Sequence, residues 1–337
     1  MKLTKNDIIK GTQRAQENTF GNRYTSADYS FKVENNILRV WANGVTVYID
    51  SIDEVVLYVI KTISFVPTWL ITQFYSAVSS GAALNIDDKI NNWIAVGLVW
   101  KEPDVTGLYV RPTRGLFKLF NNGIDDTGWQ YTELPFNMLR HTIAESKVLF
   151  DILSGVSNIV KDNFTLPRPS FLGLPPNNAG TIVWTEKEFK APNMFTQRYI
   201  DELESAERAI EEGVKNGAKI TAELENPRYF VIAKHVDNTG TLRKDWDYHL
   251  PDLVIPVVRN SGVAQSMAIE VELTNKKIAA YRETVKRYKD NIKYSKVYWL
   301  CRDPDIAKSL REAYDLEGGC GKCEWVIEEL NIPSPIF

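Results

Sequence analysis

Apolar and polar positions first form two strand-like runs, residues 37–41 and 45–49, with Ala42, Asn43 and Gly44 between them. Asn-Gly between β-rich runs predicts a β-hairpin. A helix is expected from Ile52 or Asp53 to about residue 62. The texture then changes. Ser64 and Pro67 mark a helix start, and Trp69, Leu70, Phe74 and Tyr75 recur at helical spacing. Asn85 is placed to cap a second helix whose apolar stripe is Ile86, Ile90, Trp93 and Ile94, ending at Gly97. Short strands follow at 98–100 and 108–110, then a helix from Thr113 and another over 134–155.

Two helices followed by a small hairpin have the order of a winged helix-turn-helix, in which one helix enters a major groove and the hairpin touches the backbone. On that reading Lys89, Asn91, Asn92, Lys101, Arg111 and Arg114 are the DNA contacts. The same order also serves as scaffold or as a protein-binding module. Asp87 and Asp88, on the same helix as Lys89, oppose phosphate binding there.

Pro167, Pro169, Pro175 and Pro176, with Gly173 among them, predict a connection between domains. Beyond it the pattern is mixed: a charged helix over 201–213, strands at 228–234, 249–258 and 267–273, and a helix over 275–292. A strand at 296–300, a helix from Asp303 to about residue 316 and a last strand at 324–327 complete it. The expected division is a β-rich extension (1–60), a winged-helix domain (61–160), a proline-rich connection (161–180) and a mixed α/β domain (181–337). The early hairpin, being strand-rich, is a candidate dimerisation element.

Composition narrows the function classes. With 337 residues, 44% of them hydrophobic, the chain can bury a core and suits two domains. Forty basic residues against 43 acidic leave a net charge of -3, so any DNA site must be a local patch. The apolar run 55–60 is far too short to span a bilayer, and residues 1–16 lack an apolar signal core, so a cytoplasmic protein is expected. Cys301, Cys320 and Cys323 are a poor disulfide set. Cys320 and Cys323 have the spacing of half a zinc site or a redox pair, or simply flank a glycine-rich turn.

Candidate chemistry gathers around Asp252 and Glu270. Asp252 opens one predicted strand and Glu270 lies in the next, so pairing those strands brings two carboxylates to one edge. Hard oxygen ligands of that kind bind Mg²⁺ or Mn²⁺. Such an ion polarises a phosphodiester and acidifies its attacking water. Glu272 shares the face of Glu270, as a third ligand or an ion-pair partner, while Ile269 and Val271 face the core. Glu204 and Glu207, one helical turn apart, are a further candidate ligand source. His141 reads as a hydrogen-bonded structural histidine, and His249 lies near Asp252 in sequence.

Pro251-Asp252 followed by Glu270-Val271-Glu272 resembles the PD-(D/E)xK nuclease signature. From about residue 64 to 300 the chain resembles the replication-relaxation family of plasmid and mobile-element proteins, through the winged region, residues 139–142 and 270–274. The resemblance implies an α/β (α+β) chain: an N-terminal winged helix-turn-helix joined to a restriction-endonuclease-like mixed-sheet domain. It implies double-stranded DNA as partner, with replication or mobilisation proteins and self-association as further possibilities, and a role in plasmid or phage maintenance. The departure is at the last motif position, where the active pattern has lysine and this chain has Glu272. Lys276 or Lys277, from the following helix, would have to take its place.

That helix carries the clearest basic cluster. Lys276, Lys277, Arg282, Lys286, Arg287, Lys289, Lys293 and Lys296 stand against only Glu283 and Asp290. A stripe of this kind suits phosphates, or is a solvated face. Tyr281 and Tyr288, seven apart, are expected to pack on the sheet. Three readings follow: a DNA-binding protein with a nuclease-like domain that does not cut, a metal-dependent DNA endonuclease, or a structural module.

Overall fold

The computed structural model describes residues 30–34, 37–42, 44–79, 85–104, 107–120, 136–154, 159, 183–185, 251–258, 264–289, 294–319, 323–330 and 332. These form two compact units, 30–120 and 136–332, in a mixed α/β chain. Among the described residues, no helix is long and apolar enough to cross a membrane. The predicted elements at 201–213 and 228–234, the 161–180 connection, Glu204, Glu207, His249 and Cys320 lie outside the described residues.

The first unit opens with an antiparallel sheet of β1 (Ser30–Glu34), β2 (Ile37–Ala42) and β3 (Val45–Ile49). Gly44, at φ 77, makes the turn predicted from Asn-Gly. Leu38, Val40, Val47 and Ile49 are buried and their neighbours along each strand face outward, as period two requires. Helix α1 (Ser51–Ile63) starts at a capping box, with the Asp50 side chain accepting from Ile52 and Asp53 N–H and Asp53 returning to Asp50 N–H. Its run Val56 to Ile60 is buried on every side, so α1 is the unit's central helix.

After β4 (Val66–Pro67) come α2 (Thr68–Val78), α3 (Ile86–Ala95), the hairpin β5 (Val99–Asp104) and β6 (Gly107–Pro112), and α4 (Arg114–Phe120). The strands pair antiparallel in the order β4-β6-β5. Asn85 caps α3 by accepting from Asp88 N–H, as its position in the sequence implies.

The second unit is a five-stranded mixed sheet with helices. Helix α5 (Phe136–Leu153) contacts β9. It lies in the segment expected to finish the winged-helix domain, yet it packs with the C-terminal sheet. Strands β7 (Trp184–Thr185), β8 (Leu253–Val258) and β9 (Ala264–Glu272) run antiparallel in turn. Strands β9, β10 (Tyr294–Cys301) and β11 (Glu324–Glu329) run parallel, joined through α6 (Ile278–Lys289) and α7 (Pro304–Leu316). The order is β11-β10-β9-β8-β7.

Tyr281, Val285 and Tyr288 of α6 and Ile306, Leu310 and Tyr314 of α7 pack against Val254, Ala268, Val297 and Trp299. Trp299 donates its indole N–H to Tyr314 at 2.9 Å, so the ring is buried without an orphaned donor. Ile269 and Val271 are buried on the alternate face, as expected. Cys301 and Cys323 are both buried.

Helix α6 starts later than predicted, and residues 273–277 precede it as a loop. The Tyr281 hydroxyl holds that loop by accepting from Lys276 N–H at 3.1 Å and donating to the Thr274 carbonyl at 3.3 Å. Helix α7 is capped by Asp303, which accepts from Asp305 and Ile306 N–H, with Pro304 at the first helical position. Replacing Asp303 with alanine is expected to lower the stability of this unit by about 1 kcal/mol, read by chemical denaturation. A loss under about 0.3 kcal/mol would show that the cap contributes nothing.

Candidate metal and phosphodiester site

The register of β8 on β9 pairs Leu253 with Ile269. One residue outward, at the end of that ladder, Asp252 stands opposite Glu270. Asp252 is fixed by two bonds. Its Oδ2 accepts from Val271 N–H at 2.7 Å, and its Oδ1 lies 2.9 Å from His141 Nε2 on α5. Glu145, one turn further along α5, places Oε1 at 3.5 Å from the same nitrogen. Glu270 is buried, and the buried Tyr288 hydroxyl of α6 donates to its Oε1. Glu272 is buried as well, and Lys276 reaches it at 2.6 Å. The β9 end is tied to β10 through Arg302 N–H on the Glu272 carbonyl at 2.9 Å.

Charge is therefore dense but compensated. Burial pulls the His141 imidazole down, but the Asp252 bond and the charges of Asp252, Glu145 and Glu270 outweigh it and lift the group to about 9. At neutral pH it is an imidazolium. Burial raises the Glu272 carboxyl above its usual range, with Glu270 and Asp252 adding to the rise and Lys276 opposing it. Burial and the neighbouring Glu270 hold the Tyr288 hydroxyl protonated, so it acts as a donor.

The donor set fits a hard or borderline divalent ion once that ion displaces the His141 proton, since only the neutral imidazole can ligate. One ligand atom each from His141, Glu145 and Asp252 lie within 4.8 Å of one another. Metal–ligand bonds of about 2.1 Å put adjacent ligands of an octahedral ion about 3 Å apart. The 2.9 and 3.5 Å separations from His141 Nε2 are close to that spacing.

Asp252, Glu270, Glu272 and Lys276 are thus brought together, with Lys276 arriving from the loop rather than the helix. His141, Glu145 and Tyr288 are the additions. The spacing of His141 and Glu145 on one helix face was visible in the sequence, but not the strand that they face. Tyr288 had been assigned to packing alone, and it does both.

The DNA-contact candidates divide. Lys89 is turned inward: its ammonium lies 2.6 Å from Asp53 and over the Tyr75 ring, joining α3 to α1. Arg111 is 5% exposed, paired with Glu102 across the hairpin at 2.8 Å and lying over Phe65 and Trp100. Neither is available to phosphate, because each side chain compensates a carboxylate within its own unit. Lys101 pairs with Asp87 at 2.9 Å. The outward face of α3 carries Asp87, Asp88, Asn91 and Asn92, and Arg114 is half-buried.

On α6, Arg282 binds Glu317 at 2.5 Å and Lys286 lies 3.3 Å from Glu283. Lys289 donates to the Glu317 carbonyl, closing the end of α7. Arg287 is half-buried and Lys277 exposed. Part of the basic stripe thus ties α6 to α7.

Compared with protein-family models, curated proteins and solved structures, the chain gives no match to any.

Proposed function

We propose that this is a DNA-binding protein whose C-terminal unit is a restriction-endonuclease-like domain with a metal-dependent phosphodiester site. The observation that carries the reading is the convergence of Asp252, Glu270 and Glu272 at one end of β8 and β9, with Lys276 returned onto Glu272. The order helix, antiparallel strands, helix, parallel strand supports a PD-(D/E)xK-like core. In the first unit, the order helix, strand, two helices and hairpin supports a winged helix. The resemblance to replication-relaxation proteins suggests plasmid or phage DNA as the setting.

Asp252 and Glu145, with His141 after loss of its proton and Glu270 next to Asp252 on the neighbouring strand, would hold Mg²⁺ or Mn²⁺. When bound, the ion supplies polarisation of the phosphodiester and a more acidic water. The chain's own groups set the stage. Val271 N–H and His141 orient Asp252, Tyr288 orients Glu270, and Lys276 places a positive charge at the edge where a phosphate oxygen gains charge.

A second reading rests on a specific observation. Asp252, Glu270 and Glu272 each already have a protein donor, in His141, Tyr288 and Lys276. A site compensated in this way can hold a fold together without cutting. Incubation of the full chain with supercoiled and linear duplex in Mg²⁺ or Mn²⁺ decides between them. Nicking or cleavage that EDTA abolishes is expected. Salt-sensitive duplex retention without cutting would establish the second reading. No retention at low salt would remove both and leave a structural or protein-interaction module.

A further inference from the structure

The sheet β1-β2-β3 has an outward face that neither reading uses. Its inward positions are filled: Leu38, Val40, Val47 and Ile49 are buried. Its outward positions carry two large rings and one aliphatic side chain. Tyr48 is 62% exposed, Ile37 41% and Trp41 37%. The register builds the face row by row. Lys32 pairs with Arg39 and Arg39 with Tyr48, so one row reads Lys32, Arg39, Tyr48 across the three strands. The row on one side reads Ser30, Trp41, Thr46, and the row on the other pairs Glu34 with Ile37. The Arg39 guanidinium lies over the Trp41 ring, 5.3 Å from its centroid. Among the described residues Arg39 has no carboxylate partner, unlike Lys89, Lys101 and Arg111.

We infer that this face binds single-stranded DNA by stacking bases on Trp41 and Tyr48, with the Arg39 guanidinium beside them opposite the phosphates. Chemistry selects the occupant. An apolar protein partner would call for aliphatic side chains with few charges, whereas this face sets two rings, Trp41 and Tyr48, beside a guanidinium, and Ile37 with Glu34 lies at the margin. Rings beside cations on an open sheet suit unstacked bases and a polyanionic backbone. A duplex fits less well, because its bases are already stacked and a broad sheet face does not enter a groove. The sheet belongs to the first unit, so the inference is independent of the carboxylate site.

The test is fluorescence anisotropy of labelled oligo(dT) with the full chain in EDTA, which takes the metal-dependent site out of play. Salt-sensitive binding is expected, weakened about 10-fold by Trp41→Ala and again by Tyr48→Ala, and retained in Trp41→Phe and Tyr48→Phe. Thermal melts of each variant establish that the fold is intact. Two exposed side chains on a sheet face leave the core unchanged, and the phenylalanine variants control for any loss of order. Absence of oligo(dT) binding, or alanine variants that bind as the parent does, would overturn the inference while leaving duplex cleavage untouched. Tighter binding to oligo(U) would overturn the assignment to DNA. A dimer in light scattering that Tyr48→Ala converts to monomer would assign the face to a second copy of this chain instead.

Discussion

Replacing Lys89 with methionine is expected to destabilise the first unit by about 3–5 kcal/mol, toward the lower end of that range. The substitution keeps most of the aliphatic stem but strands a charge. Asp53 is 1% exposed, and its carboxylate is held by the Lys89 ammonium and the Tyr75 hydroxyl. Burial already pushes the Asp53 carboxyl above its usual range, and Lys89 and Tyr75 pull it back. Without Lys89 the charged form has lost its counterion. The Tyr75 hydroxyl and Asp50 N–H still donate, which moderates the loss. The sign of the pH dependence follows. A carboxyl whose folded pKa is raised binds its proton more tightly in the folded state, so stability falls as pH rises through that range. The variant should regain part of its loss on acidification, and Asp53→Asn in the same background should rescue it at pH 7. Denaturation midpoints for the parent, the single variant and the double variant check this. A single variant as stable as the parent would mean that Lys89 is a surface contact after all.

Replacing Asp252 with asparagine is expected to reduce metal-dependent cleavage by at least about 100-fold while leaving duplex retention intact. Asparagine preserves the shape and can still accept from Val271 N–H, so the strand end keeps its geometry. It removes the charge that a divalent ion needs. Tyr288→Phe is the graded companion: Glu270 keeps its charge but loses its orienting donor, and a loss of about 10-fold to 100-fold in metal affinity or rate is expected. Cleavage time courses across a Mn²⁺ titration separate the two effects. If Asp252→Asn cuts as the parent does, the carboxylate edge is not where the chemistry occurs.

How far the sequence was legible depends on the distance over which each contact acts. Caps and hairpins are local, and Asp50, Asn85, Asp303 and Gly44 all sit where short-range rules put them. The Asp252–Glu270 juxtaposition was legible because strands consecutive in sequence pair with one another and the side-chain period is two. The fates of Lys89 and Arg111 were not. Both are basic residues in a segment that reads as DNA-binding, and whether such a residue points out or in depends on a carboxylate elsewhere in the chain. Asp53 lies 36 positions before Lys89, a separation that no periodicity reports. The same limit hid the pairing of His141 with Asp252, since α5 and β8 are far apart along the chain. Lys276 was anticipated as a lysine near the site, but its loop setting depends on the Tyr281 hydroxyl.

The attachment of α5 to the C-terminal sheet changes the order of events during synthesis. The helix leaves the ribosome roughly a hundred residues before β8 and β9 exist, so its apolar side must wait for a partner. Closing so long a loop is entropically expensive only in logarithm, but it ties this unit's assembly to completion of the chain. A fragment that starts at the proline-rich segment would lack α5, leaving Asp252 without His141 and β9 without one of the helices that contact it. Fragments meant to isolate the C-terminal unit therefore need to begin ahead of residue 136.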